Sequence, residues 1–224
     1  MDSRVPEIRK HLKKKLDAYR YEHTLGVEFT CQALAMRYGY DLDKADLAGL
    51  LHDSAKRFEN PVMLQKCLDR GIPVTAEEER DPSLLHAKLG AWMAENKYGV
   101  DDPEILSAIT CHTTGKPGMS LLDKILYVAD YIEPRRSKAA NLPEMRKLAF
   151  IDLDQACFEI MESILEYLKS TGCQIDPMTE AACQDMRRVV SEKQKETAGA
   201  AGETDQDKEE QSVESVKRNG KACS

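Results

Sequence analysis

Several histidines and aspartates of this chain stand at positions of predicted helices where a soluble helical protein would carry Leu or Ile. Four of the five histidines and two aspartates lie in such helices: His23, His52, Asp53, His86, His112 and Asp130. Burying such groups among apolar side chains is unfavourable unless each finds a hydrogen-bond partner or a metal ion. The sequence therefore predicts helices that pack around a polar centre.

The helical spacing of these residues directs them inward. Asp130 follows Leu126 by four positions in an apolar segment, so the two side chains share one face of a helix. His52 stands one turn after Ala48 and Gly49, whose small side chains let a neighbouring helix approach closely. Both polar residues are therefore expected at contacts between helices.

These residue types together indicate a metal centre, because imidazoles and carboxylates are ligands for Zn, Fe, Mn and Co. A single histidine on an apolar face is more often a hydrogen-bonded core residue, and only the combination favours a metal. Neighbouring helical residues point about 100° apart. His52 and Asp53 can therefore reach one ion only near a helix end or across a crevice, with His23 and Asp130 completing the site.

Helix start signals predict an all-α fold. Capping pairs such as Thr75 with Glu78 and Ser120 with Asp123 combine an N-cap hydroxyl with an acid in the first turn. No segment shows the sustained alternation of a strand. Helices are expected near 4–16, 20–38, 44–56, 61–70, 76–80, 83–97, 103–113, 120–133, 144–170 and 177–190.

One domain is expected over residues 1–190, followed by a disordered tail over 191–224. A chain of 224 residues with 42% hydrophobic content can form one well-packed core. After Val190 the composition changes to Ala, Gly, Glu, Asp and Lys with few apolar side chains, which cannot offset the entropy of ordering the chain. The sequence shows no glycine-rich phosphate-binding loop and no internal repeat.

Charge and composition limit the classes of partner and the location that are expected for this protein. The net charge of −7 argues against a sequence-independent grip on a nucleic-acid polymer, which would require a basic face or a high pI. The basic run around His11, residues 9–15, is expected to be a solvated helix face. The start of the chain lacks the apolar region of a signal peptide, and no apolar run is long enough to span a membrane. A cytoplasmic protein is predicted, and a homodimer is left open.

The seven cysteines suit reduced thiols, since their number is odd and no CxxC pair occurs. Cys111 directly precedes His112, which raises the alternative of a thiol nucleophile. Its helical direction differs from that of His112, however, so a small buried thiol is the preferred interpretation.

Four segments carry a resemblance to a known family: residues 51–56, 83–87, 109–115 and 123–136, which read LHDSAK, SLLHA, ITCHTTG and DKILYVADYIEPRR. Together with His23 ahead of them, they are similar to the metal-binding signature of the HD-domain superfamily of helical phosphohydrolases. The finer pattern resembles its YqeK-type symmetrical bis(5'-nucleosyl)-tetraphosphatases. The similarity runs from about residue 1 to 190, and the last segment is its most specific part.

The resemblance implies an HD-domain helical bundle with a buried metal site. It implies iron as the usual metal, as one or two ions, with Mn, Co or Zn as substitutes. It also implies symmetrical hydrolysis of a small dinucleoside polyphosphate, diadenosine tetraphosphate, into two ADP by a metal-activated water. The expected metal ligands are His23, His52, Asp53 and Asp130.

Three residues are expected to be catalytic: Asp53, which could also orient the attacking water, His86 and His112. The last two either hold a second metal ion or, when protonated, hydrogen-bond the phosphate chain. The sequence does not decide between these roles, although phosphate contacts are favoured. The full set expected to contact substrate is His23, Asp53, Lys56, His86, His112, Thr113, Asp130, Arg135 and Arg136.

Two rival functions remain at this stage. Another HD phosphohydrolase would act on deoxynucleotides, guanosine alarmones or cyclic dinucleotides. A non-catalytic nucleotide sensor would keep the fold and bind without turnover. All expected ligand positions are filled, which disfavours the sensor.

Overall fold

The structure is a computed structural model, and it describes residues 2–197. Within these residues all regular secondary structure is helical, which confirms the predicted all-α fold. The helices of the main unit, with a 3₁₀ turn at Pro82–Leu84, are α1 Val5–Lys15, α2 Ala18–Tyr38, α3 Leu42–Leu51, α4 Asn60–Leu68, α5 Ala76–Arg80, α6 Leu85–Tyr98, α7 Pro103–Cys111, α8 Leu121–Ile132, α9 Leu142–Leu148 and α10 Leu153–Thr171.

The chain divides into a compact unit that ends at Met186 and a second unit that begins at Arg187. Residues 177–186 are helical in the first unit, and residues 187–197 are helical in the second. The helix thus extends past the predicted start of a disordered tail at 191. Arg188 pairs with Glu192 at 2.9 Å, a spacing that supports a helix. The rest of the predicted tail, 198–224, lies outside the described residues, and the domain boundary at 190 stays a prediction.

The centre of the bundle is formed by α2, α3, α7 and α8, which pack on one another, with α6 beside α7 and α10 beside α8. The close approach of α2 and α3 depends on Gly49, because a Cβ there would stand 2.7 Å from the Cα of Glu28. Leu34, Leu50 and Ile109 are among the largest fully buried side chains. The predicted role of small residues before His52 is therefore confirmed.

Side-chain caps fix several helix starts. Both predicted capping boxes, Thr75 with Glu78 and Ser120 with Asp123, are present. The N-cap of α3 is Asp41, whose carboxylate accepts the backbone N–H of the two residues after Leu42, so this helix begins earlier than predicted.

Two predicted helices are wrong in length or continuity. The one expected over 44–56 ends at Leu51, and residues 52–57 form a series of turns, here named the HD turn. The one expected over 144–170 is divided into α9 and α10. Asp152 causes this break, because its carboxylate caps α10 by accepting the backbone N–H of Asp154 and Gln155.

A smaller apolar cluster anchors the HD turn. Ala55 is fully buried in it among residues of α4 and α6, namely Met63, Cys67, Leu85, Leu89 and Met93. Packing of this kind restrains a turn that has no helical hydrogen-bond ladder. In the part of the chain that the structure describes, no helix has the length and apolar character required to cross a membrane.

Candidate metal centre

Five helices and the HD turn bring the predicted residues into one cluster. His23 lies in the second turn of α2, His52 is the C-cap of α3, and Asp53 follows it in the HD turn. The remaining members are His86 at the start of α6, His112 as the C-cap of α7 and Asp130 near the end of α8. Because α3 ends at this point, His52 and Asp53 can face the same centre although they are neighbours in the chain. This agrees with the prediction that the pair lies near a helix end.

The first half of the cluster contains His23, His52 and Asp130, whose ligand atoms lie within 4.8 Å of one another. The Nε2 atom of His23 is 3.1 Å from Oδ1 of Asp130, and Nε2 of His52 is 4.0 Å from the same oxygen. Oδ2 of Asp53 lies 3.7 Å from His23 Nε2 and 3.5 Å from His52 Nε2. Four potential ligands thus surround one position.

The second half is built on the other oxygen of Asp53. Oδ1 lies 3.4 Å from Nε2 of His86 and 3.8 Å from Nε2 of His112. The Nε2 atoms of His86 and His112 are 3.1 Å apart. The hydroxyl oxygen of Thr113 is 3.2 Å from Nε2 of His86. Asp53 therefore stands between two histidine pairs, with one oxygen toward each.

Hydrogen bonds at Nδ1 fix the tautomer of these histidines. The Nδ1–H of His52 donates to the carbonyl of Gly49 at 2.7 Å, and that of His112 donates to the carbonyl of Ile109 at 2.7 Å. His86 donates in the same way to a backbone carbonyl at 2.5 Å. Because a carbonyl can only accept, each ring turns an Nε2 lone pair toward the centre.

A cation is needed where these lone pairs converge. The Nε2 atoms of His23 and His52 are buried and have no hydrogen-bond partner, although carboxylate oxygens face them. Unpaired lone pairs that face a carboxylate are unfavourable unless a metal ion or a proton lies between them. The mixed nitrogen and oxygen donors suit a transition metal. The residues present therefore fit a metal centre.

The charges of the cluster agree with this interpretation. Burial tends to raise the pKa of Asp53, but interactions with His52 and His112 hold it well below its ordinary value. Burial also opposes ionisation of Asp130, yet His23 and Arg136 keep its pKa low. Both carboxylates are thus ionised at neutral pH. Burial lowers the pKa of His86 to about 3, so this imidazole is neutral.

Two cationic side chains contact the carboxylates from outside. Arg136 was predicted from the sequence, and it donates to Oδ1 of Asp130 at 2.6 Å. Arg20 was not predicted, and it donates to Oδ2 of Asp53 at 2.6 Å. Its position three residues before His23 on a helix is the signal that could have identified it.

Glu133 is a second residue that the sequence interpretation missed. It is buried, and its Oε1 accepts a hydrogen bond from Nδ1 of His23 at 3.1 Å. The absence of a side chain at Gly26 makes room for it, since a Cβ there would collide with the Glu133 carboxylate. Glu133 thereby orients His23 and directs its Nε2 toward the centre.

The remaining predicted residues differ in placement. Lys56 lies half-buried in the HD turn, where burial lowers its pKa and Asp53 opposes that change. Arg135 is exposed and pairs with Glu22 at 2.6 Å, so the structure does not bring it to the cluster. Cys111 is buried, and burial raises its pKa far above the usual range of a thiol.

Open space borders the cluster on one side. A cavity of about 330 Å³ reaches His112 and Asp130 and is lined by Thr113, Tyr127, Tyr131, Arg136, Lys138, Ala139, Leu142 and Ile164 among others. A second cavity of about 1000 Å³ shares several of these residues: Tyr131, Arg136, Lys138, Ala139 and Ile164. The cluster is therefore accessible from the smaller cavity, which combines cationic and apolar walls. The larger cavity also has four glutamates in its wall: Glu144, Glu159, Glu162 and Glu166.

Comparison with known proteins places the chain in a family. A family model described as HD domain matches residues 20–135. The chain is 40% identical to the symmetrical bis(5'-nucleosyl)-tetraphosphatase of Bacillus subtilis (strain 168), over 75% of this chain and 89% of the relative. It is 38% identical to the protein of the same name from Halalkalibacterium halodurans, over 76% of this chain and 90% of that one.

A solved structure supports the assignment to the HD family. The crystal structure of a predicted HD superfamily hydrolase involved in NAD metabolism, from Clostridium acetobutylicum, superposes with a TM-score of 0.79 at 37% identity. The match covers 82% of this chain and 96% of that protein. The chain belongs to the HD domain family, in the branch of the symmetrical bis(5'-nucleosyl)-tetraphosphatases.

Proposed function

We propose that this protein catalyses the metal-dependent hydrolysis of diadenosine tetraphosphate into two ADP. The position of Asp53 is the observation that carries this proposal, because its two oxygens face two separate groups of histidines. Relatives that align over most of this chain are named symmetrical bis(5'-nucleosyl)-tetraphosphatases. A small dinucleoside polyphosphate is therefore the proposed substrate, and the cytoplasm the proposed location.

The ligand set supports two ions. The first would be held by His23, His52, Asp53 and Asp130. The lone pairs of His86 and His112 face each other at 3.1 Å, and neutral His86 cannot act as a cationic phosphate contact near pH 7. We therefore favour these two residues as ligands of a second ion, together with Asp53, over the phosphate contacts favoured from sequence alone. Iron is the proposed metal, with Mn, Co or Zn as substitutes.

When bound, such ions lower the pKa of a coordinated water and polarise a phosphoryl oxygen. Protein groups supply the remaining requirements. The ionised carboxylate of Asp53 can accept a hydrogen bond from the attacking water and so orient it. The hydroxyl of Thr113 lies beside His86 and His112 and can donate to a phosphate oxygen.

The smaller bordering cavity suits the phosphate chain, since Asp130 is the one carboxylate among the described residues of its lining. Arg136 and Lys138 line both cavities and can neutralise phosphate oxygens, with Arg able to grip two of them at once. Ile164 and Tyr131 provide apolar surface for a nucleoside. Water adds to one of the two central phosphorus atoms, the central bridging P–O bond breaks, and the departing ADP keeps the bridging oxygen. Cations near the cluster stabilise the charge on that ADP.

Product analysis in water labelled with heavy oxygen tests this function. A single incubation of the metal-loaded protein with diadenosine tetraphosphate should give ADP as the only nucleotide product. One of every two ADP molecules should carry one labelled oxygen. Release of ATP and AMP as initial products would contradict symmetrical cleavage. Asp130→Asn is the matched inactive variant, because it removes one ligand charge while retaining the size of the side chain.

The same assay separates the rival functions. Rapid hydrolysis of a deoxynucleoside triphosphate, a guanosine alarmone or a cyclic dinucleotide, with no cleavage of diadenosine tetraphosphate, would indicate another HD phosphohydrolase. Metal-dependent binding of the dinucleotide without product would indicate a sensor.

A further inference from the structure

The basic run on α1 is largely exposed, as predicted, and it also lines a cleft. This space, here named the α1 cleft, has a volume of about 980 Å³. None of its lining residues belongs to the metal cluster. Its cationic walls come from α1, the HD turn and the end of α6, and its Lys and Arg residues are Arg4, Lys10, Lys14, Lys15, Arg57 and Lys97.

Most of these cations lack an acidic partner. Arg4 pairs with Asp2 at 2.7 Å, and Lys10 is 3.7 Å from Glu7, the acidic residue of the lining. Within residues 2–197, no carboxylate lies within 4.0 Å of the other four: Lys14, Lys15, Arg57 and Lys97. A chain with a net charge of −7 thus gathers unpaired positive charge around one space.

Two buried polar atoms in the wall also lack partners. The Nε atom of Arg57 and the hydroxyl of Tyr98 are buried without a hydrogen bond in the described part of the chain. Buried polar groups are usually paired, so unsatisfied donors beside a cleft indicate a missing acceptor. Both residues line the cleft, and these two atoms reach a phosphate oxygen only after their side chains turn toward it.

Electrostatic repulsion within the cleft supports an anionic ligand. Burial lowers the pKa of Lys97, and the positive charge of Arg57 lowers it further. The pKa of His11 is lowered by burial and by the same neighbour. A bound polyanion would relieve this repulsion.

The aromatic side chains of the cleft are already in contact with other groups. The guanidinium of Arg57 lies over the ring of Phe58, 4.6 Å from its centroid, and Lys66 lies 4.8 Å from the same centroid. The ring of Tyr98 contacts His11 edge-on at 5.8 Å. These rings are therefore poorly placed to stack on a base, and phosphate groups are the part of a ligand that the cleft can recognise.

We propose that the α1 cleft is a binding site for a polyphosphate chain, separate from the metal centre. Its volume is that of small-molecule sites, which range from about 300 to about 1000 Å³. The ligand is a nucleoside triphosphate or tetraphosphate, or inorganic polyphosphate, since each presents the same run of phosphate oxygens. A long RNA is disfavoured by the net negative charge of the chain.

Calorimetric titration of the metal-loaded, full-length protein tests this site, with inorganic tripolyphosphate and ATP as probes. Lys14→Ala/Lys15→Ala removes two exposed charges from the cleft, and Lys147→Ala/Lys169→Ala removes two exposed charges elsewhere as the matched control. The cleft variant should bind one equivalent of probe about tenfold more weakly than the control, and added salt should reduce the difference. Arg57→Ala should have the same effect.

Equal isotherms for the cleft variant and its control would overturn the proposal, as would binding of a short RNA at the cleft without binding of tripolyphosphate. Tighter binding of ATP than of tripolyphosphate would identify a nucleotide ligand, and equal binding would identify the phosphate chain alone. Lys14→Ala/Lys15→Ala should hydrolyse diadenosine tetraphosphate at the wild-type rate at saturating substrate. Probe binding is measured independently of hydrolysis, so failure of the proposed enzymatic function leaves this test intact.

Discussion

Glu133 accepts a hydrogen bond from Nδ1 of His23 at 3.1 Å, although the two residues are 110 positions apart in the chain. The contact joins the C-cap of α8 to α2 and turns the opposite nitrogen of the imidazole toward Asp130 and Asp53. Partners of this kind hold a ligand in its binding orientation and raise its basicity.

Glu133→Ala should therefore weaken metal binding by about 10- to 100-fold, the usual effect of removing such a partner. Competition with a chelator of known affinity measures this directly. Glu133→Gln should lose less metal affinity than Glu133→Ala, because its amide oxygen can still accept a hydrogen bond from Nδ1 of His23. Glu144→Ala, an exposed glutamate in α9, is the control and should bind metal like the wild type. Equal affinity of all these proteins would mean that Glu133 does not orient His23.

His52→Ala should lose most of the bound metal, since it removes a fully buried ligand whose Nε2 has no other partner. Elemental analysis after metal-replete expression should find about one equivalent fewer than in the wild type. His11→Ala is the control, because His11 is a histidine of the α1 cleft and does not belong to the metal cluster. Unchanged metal content in His52→Ala would remove this residue from the ligand set.

Cys111→Ala should retain most of the turnover. The thiol is buried and its pKa is raised far above neutrality by burial, so it does not supply a thiolate. Cys157→Ala, which removes another buried thiol, controls for the loss of packing. If the Cys111 variant folds with the same Tm as the control yet lacks activity, a nucleophilic role for the thiol would have to replace water attack.

The buried carboxyl of Glu28 gives the fold a pH dependence of its own. Burial and a hydrogen bond with Asp46 raise its pKa to about 8 from an ordinary value of 4.5, against the opposing effect of Arg9. The pKa of Glu28 is higher in the folded protein than in the unfolded chain, so its protonated form stabilises the fold. This stabilisation is complete below pH 4.5 and is lost as the pH rises through about 8.

Glu28→Gln preserves the uncharged form and should be less sensitive to pH in this range. The Tm of Glu28→Gln minus that of the wild type should increase by a few degrees as the pH rises from about 6 to about 9. A change of this size corresponds to roughly 1 kcal/mol in a domain of this size. Thermal unfolding followed by circular dichroism measures the difference, with Glu144→Gln as control. Parallel Tm curves for wild type and Glu28→Gln would show that Glu28 is ionised throughout.

Much of the fold and of the centre was predictable from sequence, because the signals are local. Period-3.6 apolar spacing and capping pairs such as Ser120 with Asp123 predict helices. The end of α3 was placed too late, since the HD turn keeps helix-like composition and is held by the packing of Ala55 against a separate apolar cluster. The break at Asp152 was missed because one capping carboxylate outweighs the helical propensity around it.

The sequence by itself determined which residues can bind a metal, since histidine and aspartate at buried helical positions need a cation or a partner wherever they meet. Only the tertiary structure decided how they are divided between the two oxygens of Asp53, and which groups hold them in place. Arg20, Glu133 and the exposed placement of Arg135 depend on contacts between distant segments. Side-chain directions across helix contacts follow from packing, which local sequence spacing does not encode.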